Sequence, residues 1–325
     1  MSTNQATPIR IELPFLPSEG AVNVYLFRDP EPVLIDAGFN STTAWESLQA
    51  ALAEQKLTVT DLKRVIITHP HVDHYGLAAR IARESQAEVW MADAGVQWLQ
   101  HFLELWQQRI TYYREVFLPG LGLPEAGQLF LGWMEQSLER WEPIPTERIV
   151  SFPVAQPLAL GGLDWQPLHL TGHDSHLTCF YQPQTRQLLS ADMLMIPTAT
   201  PVVETPPPGE PRRPALPAFL QSLDQLAQLE VDIVYPGHGA PFAQHRQVIA
   251  AQKARIQERK EECWRHVAAG VDTVAAIFER LYGSRAQSVG MAGLWMVVGY
   301  LDLLEAEGRV TMETMDGVWR YRPLL

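Results

Sequence analysis

Four side chains able to bind a metal ion fall within six residues in His69-Pro70-His71-Val72-Asp73-His74. Imidazole nitrogen and carboxylate oxygen suit zinc and its first-row neighbours, and a catalytic metal needs converging ligands that leave one position open. Just upstream, Val65-Ile66-Ile67 reads as the core of a buried strand that delivers the cluster at its carboxyl end. In an extended or tightly turned segment His69 and His71 project from the same side and can share one metal. Asp73 and His74, at the turn into a following helix, are then placed to reach a second. A lone histidine is usually a core or surface residue, but packing gives no reason for three histidines and an aspartate at this density. Two adjacent metals would support attack by an activated water on a carbonyl or phosphoryl group.

The run has the pattern HxHxDH, and on it the chain resembles the metallo-β-lactamase superfamily over most of residues 20–240. Four further motifs follow the family order: Asp36 in Leu34-Ile35-Asp36-Ala37-Gly38, His173 in Thr171-Gly172-His173, Asp192 in Leu189-Ser190-Ala191-Asp192, and His238 in Pro236-Gly237-His238-Gly239. The resemblance implies two divalent metal ions, zinc first, with iron or manganese as alternatives. It implies that His69, His71 and His173 hold one metal and Asp73, His74 and His238 the other, with Asp192 bridging and Asp36 supporting from behind. A hydroxide shared by the two metals is then the nucleophile, oriented by Asp73, which passes a proton to the leaving atom. The chain departs from the family pattern at two places. Thr171-Gly172-His173-Asp174-Ser175-His176 lacks the usual proline and is one residue shorter between its histidines, which leaves His176 as an alternative to His173. Ala191 stands where glycine is usual. His169 reads as a structural histidine.

The elements that must position these residues follow from patterning. Val22 to Phe27 and Pro32 to Asp36 read as a hairpin, residues 43–55 as a helix and 62–68 as the strand before the cluster. Residues 96–141 read as helical with one aromatic face, Trp98, Phe102, Trp106, Ile110, Tyr113 and Phe117 recurring every three or four positions. Strands return near 165–170 and 178–190, a proline-dense loop runs from Pro197 to Pro217, and a helix over 217–229 precedes the strand Val231 to Tyr235. From Arg246 the chain becomes a long charged helix, two shorter helices and a ribbon turned at Asp316-Gly317. The expected fold is α/β: an αββα sandwich over residues 1–245 with a helical aromatic insert at 96–145, and a smaller helical, winged-helix-like domain over 246–325. That pairing resembles the branch containing glyoxalase-II-like hydrolases and β-lactamase-like endoribonucleases.

Composition bounds the function. Residues 1–245 hold 14 Lys and Arg against 27 Asp and Glu, whereas residues 246–325 hold 11 against 10. An acidic catalytic half is a poor partner for a phosphate backbone, so nucleic acid is not favoured. No apolar run approaches the roughly 20 residues of a membrane span, and the N-terminus has no secretory pattern. Cys179 and Cys263 have no paired spacing, so a cytoplasmic protein, with a homodimer as an open option, is the expectation. The favoured activity is hydrolysis of a small-molecule ester, thioester or lactone. The alternatives are a metal-dependent endoribonuclease or phosphodiesterase and a non-hydrolytic oxidoreductase similar to the sulfur dioxygenases. Trp98, Phe102 and Trp106 are candidates to contact an apolar substrate portion, and Arg212 and Arg213 to clamp its carboxylate or phosphate.

Overall fold

The computed structural model describes residues 7–15, 20–123, 126–196, 201–207 and 210–324. Strands form where β-branched and aromatic residues alternate with a period of two. Six of them, β1 (Ile9–Pro14), β2 (Ala21–Phe27), β3 (Val33–Ile35), β4 (Arg64–Ile67), β5 (Glu88–Ala92) and β6 (Ile149–Phe152), make one sheet in sequence order. The first three are antiparallel and the rest parallel. A second sheet holds β7 (Leu158–Leu160), β8 (Leu163–His169), β9 (Thr178–Gln182), β10 (Gln187–Ala191) and β11 (Ile233–Pro236), with β10 and β11 its parallel pair.

The period of two decides which residue faces which layer. On β2, Tyr25 and Phe27 meet Ile35, Ile66, Trp165 and Phe180 between the sheets. Val22, Val24 and Leu26 point the other way, into a cluster with Trp45, Leu48 and Leu52 of the helix Thr42–Glu54. Two sheets with helices outside are the expected αββα sandwich. Its functional edge is set by polarity: Asp36 follows β3, His69 follows β4, Asp192 follows β10 and His238 follows β11, all at carboxyl ends.

The aromatic insert is less regular than its periodicity predicts. The helix Val96–Tyr112 bends at His101 (φ −128°), opens into a π-helical turn over Tyr113–Phe117 and closes through Leu118–Leu121 at Gly122. A further helix, Ala126–Glu139, folds back. Pro119 denies the ladder a donor, and the insert's rings serve two partners, so one straight face would not satisfy both. Of the proline-dense loop, 197–200 and 208–209 lie outside the described residues.

The C-terminal segment consists of helices His245–Ala268, Val274–Tyr282 and Ala286–Ala306, then a hairpin of β12 (Val310–Met315) and β13 (Val318–Pro323). Asp316 and Gly317 both take positive φ, the turn expected there, and Thr273 bridges Arg320 on β13. The third helix is longer than expected from sequence. The helical run 274–306 is apolar enough to span a membrane by length and composition, contrary to the expectation that no run qualifies. Half of its most apolar window is buried in the protein. Ile249, Val267, Ile277, Val297 and Leu301 belong to the same cluster as Leu216 and Phe219 of the helix Ala215–Ala227, so this segment packs on the sandwich.

Candidate metal centre

Four strand ends converge on a buried group of histidines and aspartates. His69, His71 and His173 bring nitrogens within 4.8 Å of one another, as do Asp73, His74 and His238 with their ligand atoms, and His69, His74 and Asp192 with theirs. The Asp192 Oδ2 lies 3.5 Å from Nε2 of each of His173, His74 and His238. It thus stands between the two triads that the sequence paired.

Three ligand-type histidines, His69, His74 and His238, are held from behind. The Asp36 carboxylate accepts from the Thr68 amide (2.8 Å) and hydroxyl (2.9 Å) and from His74 Nδ1 (2.8 Å). Since the Thr68 hydroxyl donates to Asp36, it accepts from His69 Nδ1 at 2.9 Å, which fixes that tautomer and aims Nε2 at the centre. His238 Nδ1 donates to the Ala21 carbonyl at 2.8 Å. The His173 Nε2 sits 3.1 Å from His71 Nδ1.

Close approach dictates two glycines. A Cβ on Gly237 would lie 2.0 Å from Asp192 Oδ1 and 2.9 Å from His74 Cε1. Gly172, at φ +128°, would put one 2.3 Å from the Phe219 backbone. Ala191, by contrast, sits at φ +44°, the left-handed region that costs a residue with a Cβ about 1–2 kcal/mol. This explains why glycine is the more comfortable residue before the aspartate.

Burial governs the electrostatics. It pushes His69 well below the ordinary imidazole range, reinforced by His74 and His71, and holds His173 down at about 4. Burial also acts downward on His74, but the carboxylates of Asp192, Asp73 and Asp36 overcome it and raise that imidazole; His238 rises to about 12 because Asp192 and Asp73 outweigh its burial. Against their own burial, His238 and His74 hold Asp192 well below the carboxylate range, and Asp73 falls to about 2 with His74 and His238 beside it. His69 and His173 therefore offer neutral imidazole, and the other triad a carboxylate field that favours cations.

The residues fit metal ions on a direct observation. Nε2 of His69, Nε2 of His74 and Oδ1 of Asp192 are buried without a hydrogen-bond partner. Each such atom costs about 1–3 kcal/mol, and a cation among them is the natural partner for all.

Sequence reasoning does not single out Asp174. It is fully buried, its Oδ2 lies 3.5 Å from His71 Nε2, and its Oδ1 lies 3.0 Å from His176 Nδ1. A carboxylate directly after a candidate ligand histidine is the signal that could have found it. His176 is thereby drawn into a separate group with Asp174 and Glu204, leaving His173 beside His69 and His71.

A cavity of about 250 Å³ opens on the centre, with His71, Asp73, His173, Asp192 and His238 at its floor and Trp106, Tyr113, Phe130, Trp133, Met195 and Trp295 among its walls. Of the three aromatic candidates only Trp106 lines it. Phe102 is stacked between Trp141 (3.9 Å between centroids) and Trp106 (5.5 Å), and Trp98 packs on Phe102 and edge-on to His176, so both serve packing rather than the cavity wall. Arg212 is corrected outright. Its guanidinium makes a bidentate pair with the buried Asp302 at 2.8 and 2.5 Å, which spends its donors on the C-terminal helix. Arg213 pairs with Glu210 at 3.2 Å at the exposed surface, away from the cavity floor.

Fold and site together define a metallo-hydrolase scaffold, and the chain belongs to the metallo-beta-lactamase superfamily, whose model matches residues 17–238. It is similar to the probable metallo-hydrolase YqjP of Bacillus subtilis (strain 168), 28% identical over 314 residues that cover 96% of this chain and 95% of that protein. In fold it resembles a metallo-beta-lactamase family protein from Thermus thermophilus (TM-score 0.80, 24% identity, 98% of both chains). It likewise resembles a beta-lactamase domain protein from Burkholderia ambifaria (TM-score 0.79, 22% identity, 98% of this chain and 92% of that one).

Proposed function

We propose that this chain is a two-metal hydrolase of a small-molecule ester, thioester or lactone. The observation that carries the reading is Asp192, whose Oδ2 is equidistant from histidines of both triads, as a carboxylate shared by two metals must be. In this reading His69, His71 and His173 hold one zinc, iron or manganese ion, Asp73, His74 and His238 the other, and Asp192 both. When bound, such ions lower the pKa of water and polarise the scissile oxygen.

The chain's own residues do the rest. Asp36 and Thr68 orient His74 and His69, and Asp174 steadies His71. Asp73 borders the cavity with its Oδ2 3.2 Å from His238 Nε2, placed to take the water's proton and return it to the leaving atom. The aromatic walls exclude water and suit an apolar acyl portion better than a nucleic-acid strand, in keeping with the acidic catalytic half. The helical C-terminal segment, with its hairpin and the Thr273 bridge, supports the relation to winged-helix-bearing relatives. It acts here as a wall of the cavity through Trp295.

The test is a panel of thioesters, lactones, phosphodiesters and single-stranded RNA on metal-quantified protein. Acyl substrates should turn over, chelation should stop it, and zinc, iron or manganese should restore it. His71→Ala and Asp192→Ala should each abolish turnover with the fold intact. RNA cleavage without acyl turnover would replace this reading with the nuclease.

A further inference from the structure

Among the described residues, the wall of the cavity above the candidate metals holds one arginine that no carboxylate pairs with directly. Arg109, on the helix Val96–Tyr112, is 4% exposed and lines the cavity. Its guanidinium carbon lies 4.7 Å from the ring centre of Trp98 and 5.7 Å from that of Trp106. Among the described residues it makes no ion pair or hydrogen bond, and its Nε is buried without a partner. The nearby buried acid Glu204 feels the Arg109 charge through space, but its direct hydrogen bonds come from the Ser175 amide at 2.5 Å and from the Ser175 hydroxyl. A buried guanidinium held only by aromatic faces is costly, since cation–π contacts replace a fraction of its lost hydration. Structural arginines in this chain look different: the half-buried Arg212 has both prongs on Asp302.

The other wall groups do not compete for that charge. Trp106 Nε1 donates to the Met134 carbonyl at 2.9 Å, Trp295 Nε1 to the Tyr113 hydroxyl at 3.0 Å, and that hydroxyl to the Val203 carbonyl at 2.5 Å. With their polar ends spent on the protein, these rings turn apolar surface inward and leave Arg109 as the wall's recognition group.

We propose that Arg109 is a specificity-determining residue that binds a carboxylate on the substrate. Resting on the acyl-hydrolase reading, this narrows the substrate to a compact ester, thioester or lactone whose apolar body carries one carboxylate remote from the scissile bond. The planar guanidinium matches a carboxylate with two parallel hydrogen bonds. One buried positive charge balances one negative charge, whereas a phosphate monoester brings nearly two. The carboxylate would sit against Arg109 while the aromatic rings hold the chain that spans to the floor.

The experiment reads binding without turnover, so that it stands apart from the hydrolase assay. Metal-loaded protein is titrated with 4-phenylbutyrate, its neutral amide and phenethyl phosphate, followed by the tryptophan emission of the cavity walls. Wild type should bind the carboxylate about tenfold to a hundredfold tighter than the amide, the range of a hydrogen-bonded charge, and Arg109→Gln should erase that preference while binding the amide as before. Arg109→Lys, which keeps the charge and loses the fork, should retain part of it and serves if the glutamine variant does not fold. An equal preference in the Arg109→Gln or Arg109→Lys protein and wild type would mean that the metals alone hold the carboxylate, and would overturn the proposal. So would the absence of any preference in wild type, or tighter binding of the phosphate. If carboxylate selection depends on Arg109 but no acyl substrate turns over, the hydrolase reading fails and the binding site stands.

Discussion

The floor and the walls of the cavity are built on opposite principles. Floor residues come from the loops at the carboxyl ends of strands, and short hydrogen bonds between those ends fix His69, His74 and His238, through Thr68, Asp36 and the Ala21 carbonyl. Wall residues come from the insert, the loop after β10 and the last long helix, and they are fixed by contacts between distant segments. Reactive chemistry is thus set by joined strand ends of the sandwich, and selectivity by tertiary assembly of helices. Damage to the floor should show in metal binding and turnover, whereas damage behind the walls should show first in stability.

The largest expected effect is at Gly237. Gly237→Ala drives a methyl into Asp192 and His74 together, so bound metal should fall to trace levels and turnover by more than about a hundredfold, beyond what loss of an outer hydrogen-bonding partner costs. Metal analysis beside a far-ultraviolet spectrum checks it; full occupancy in the variant would show that the floor can yield. Asp174→Asn keeps the volume and removes the charge behind His71, and should weaken metal affinity or turnover about tenfold to a hundredfold. A chelator-competition titration measures this, and an unchanged affinity would remove Asp174 from the centre. The smallest effect on chemistry is expected at Arg212→Met, which strands the buried Asp302. It should cost roughly 3 kcal/mol of stability in denaturant unfolding while kcat and KM for any accepted substrate stay within about twofold, because an intact floor has lost nothing. A kinetic loss larger than the stability loss would blur the line between the two regions.

The same division governs what could be read in advance. The floor is legible because its residues are dense in sequence or flagged by glycines, and the strands that carry them are short apolar runs. The strand Ile9–Pro14 is not among the elements expected from sequence although Ile9, Ile11 and Leu13 alternate, because a single short run at the start of the chain has no partner visible in one dimension. Asp174 is hidden by its neighbours, since a carboxylate beside a histidine is common and only the fold brings it to His71 from the far strand end. The insert's 3.6-residue periodicity is real, but Trp98 and Phe102 pack inside it, and nothing local separates them from Trp106. Arg212 draws attention as an exposed loop cation, when its partner Asp302 lies 90 residues away. Arg109, inside a helix that reads as amphipathic, gives no sign in the sequence that no described carboxylate pairs with it directly.

The Tyr113 hydroxyl, which joins the insert to Val203 on one side and to Trp295 on the other, ties together positions 90 and 182 residues apart. Its consequence is evolutionary. A chimera taking the insert from one relative and the terminal helices from another would set half of this joint against a stranger, so substrate range cannot be exchanged as a cassette. It has to drift through paired changes in three separate stretches of the gene, while the strand ends beneath remain free to keep the same reaction.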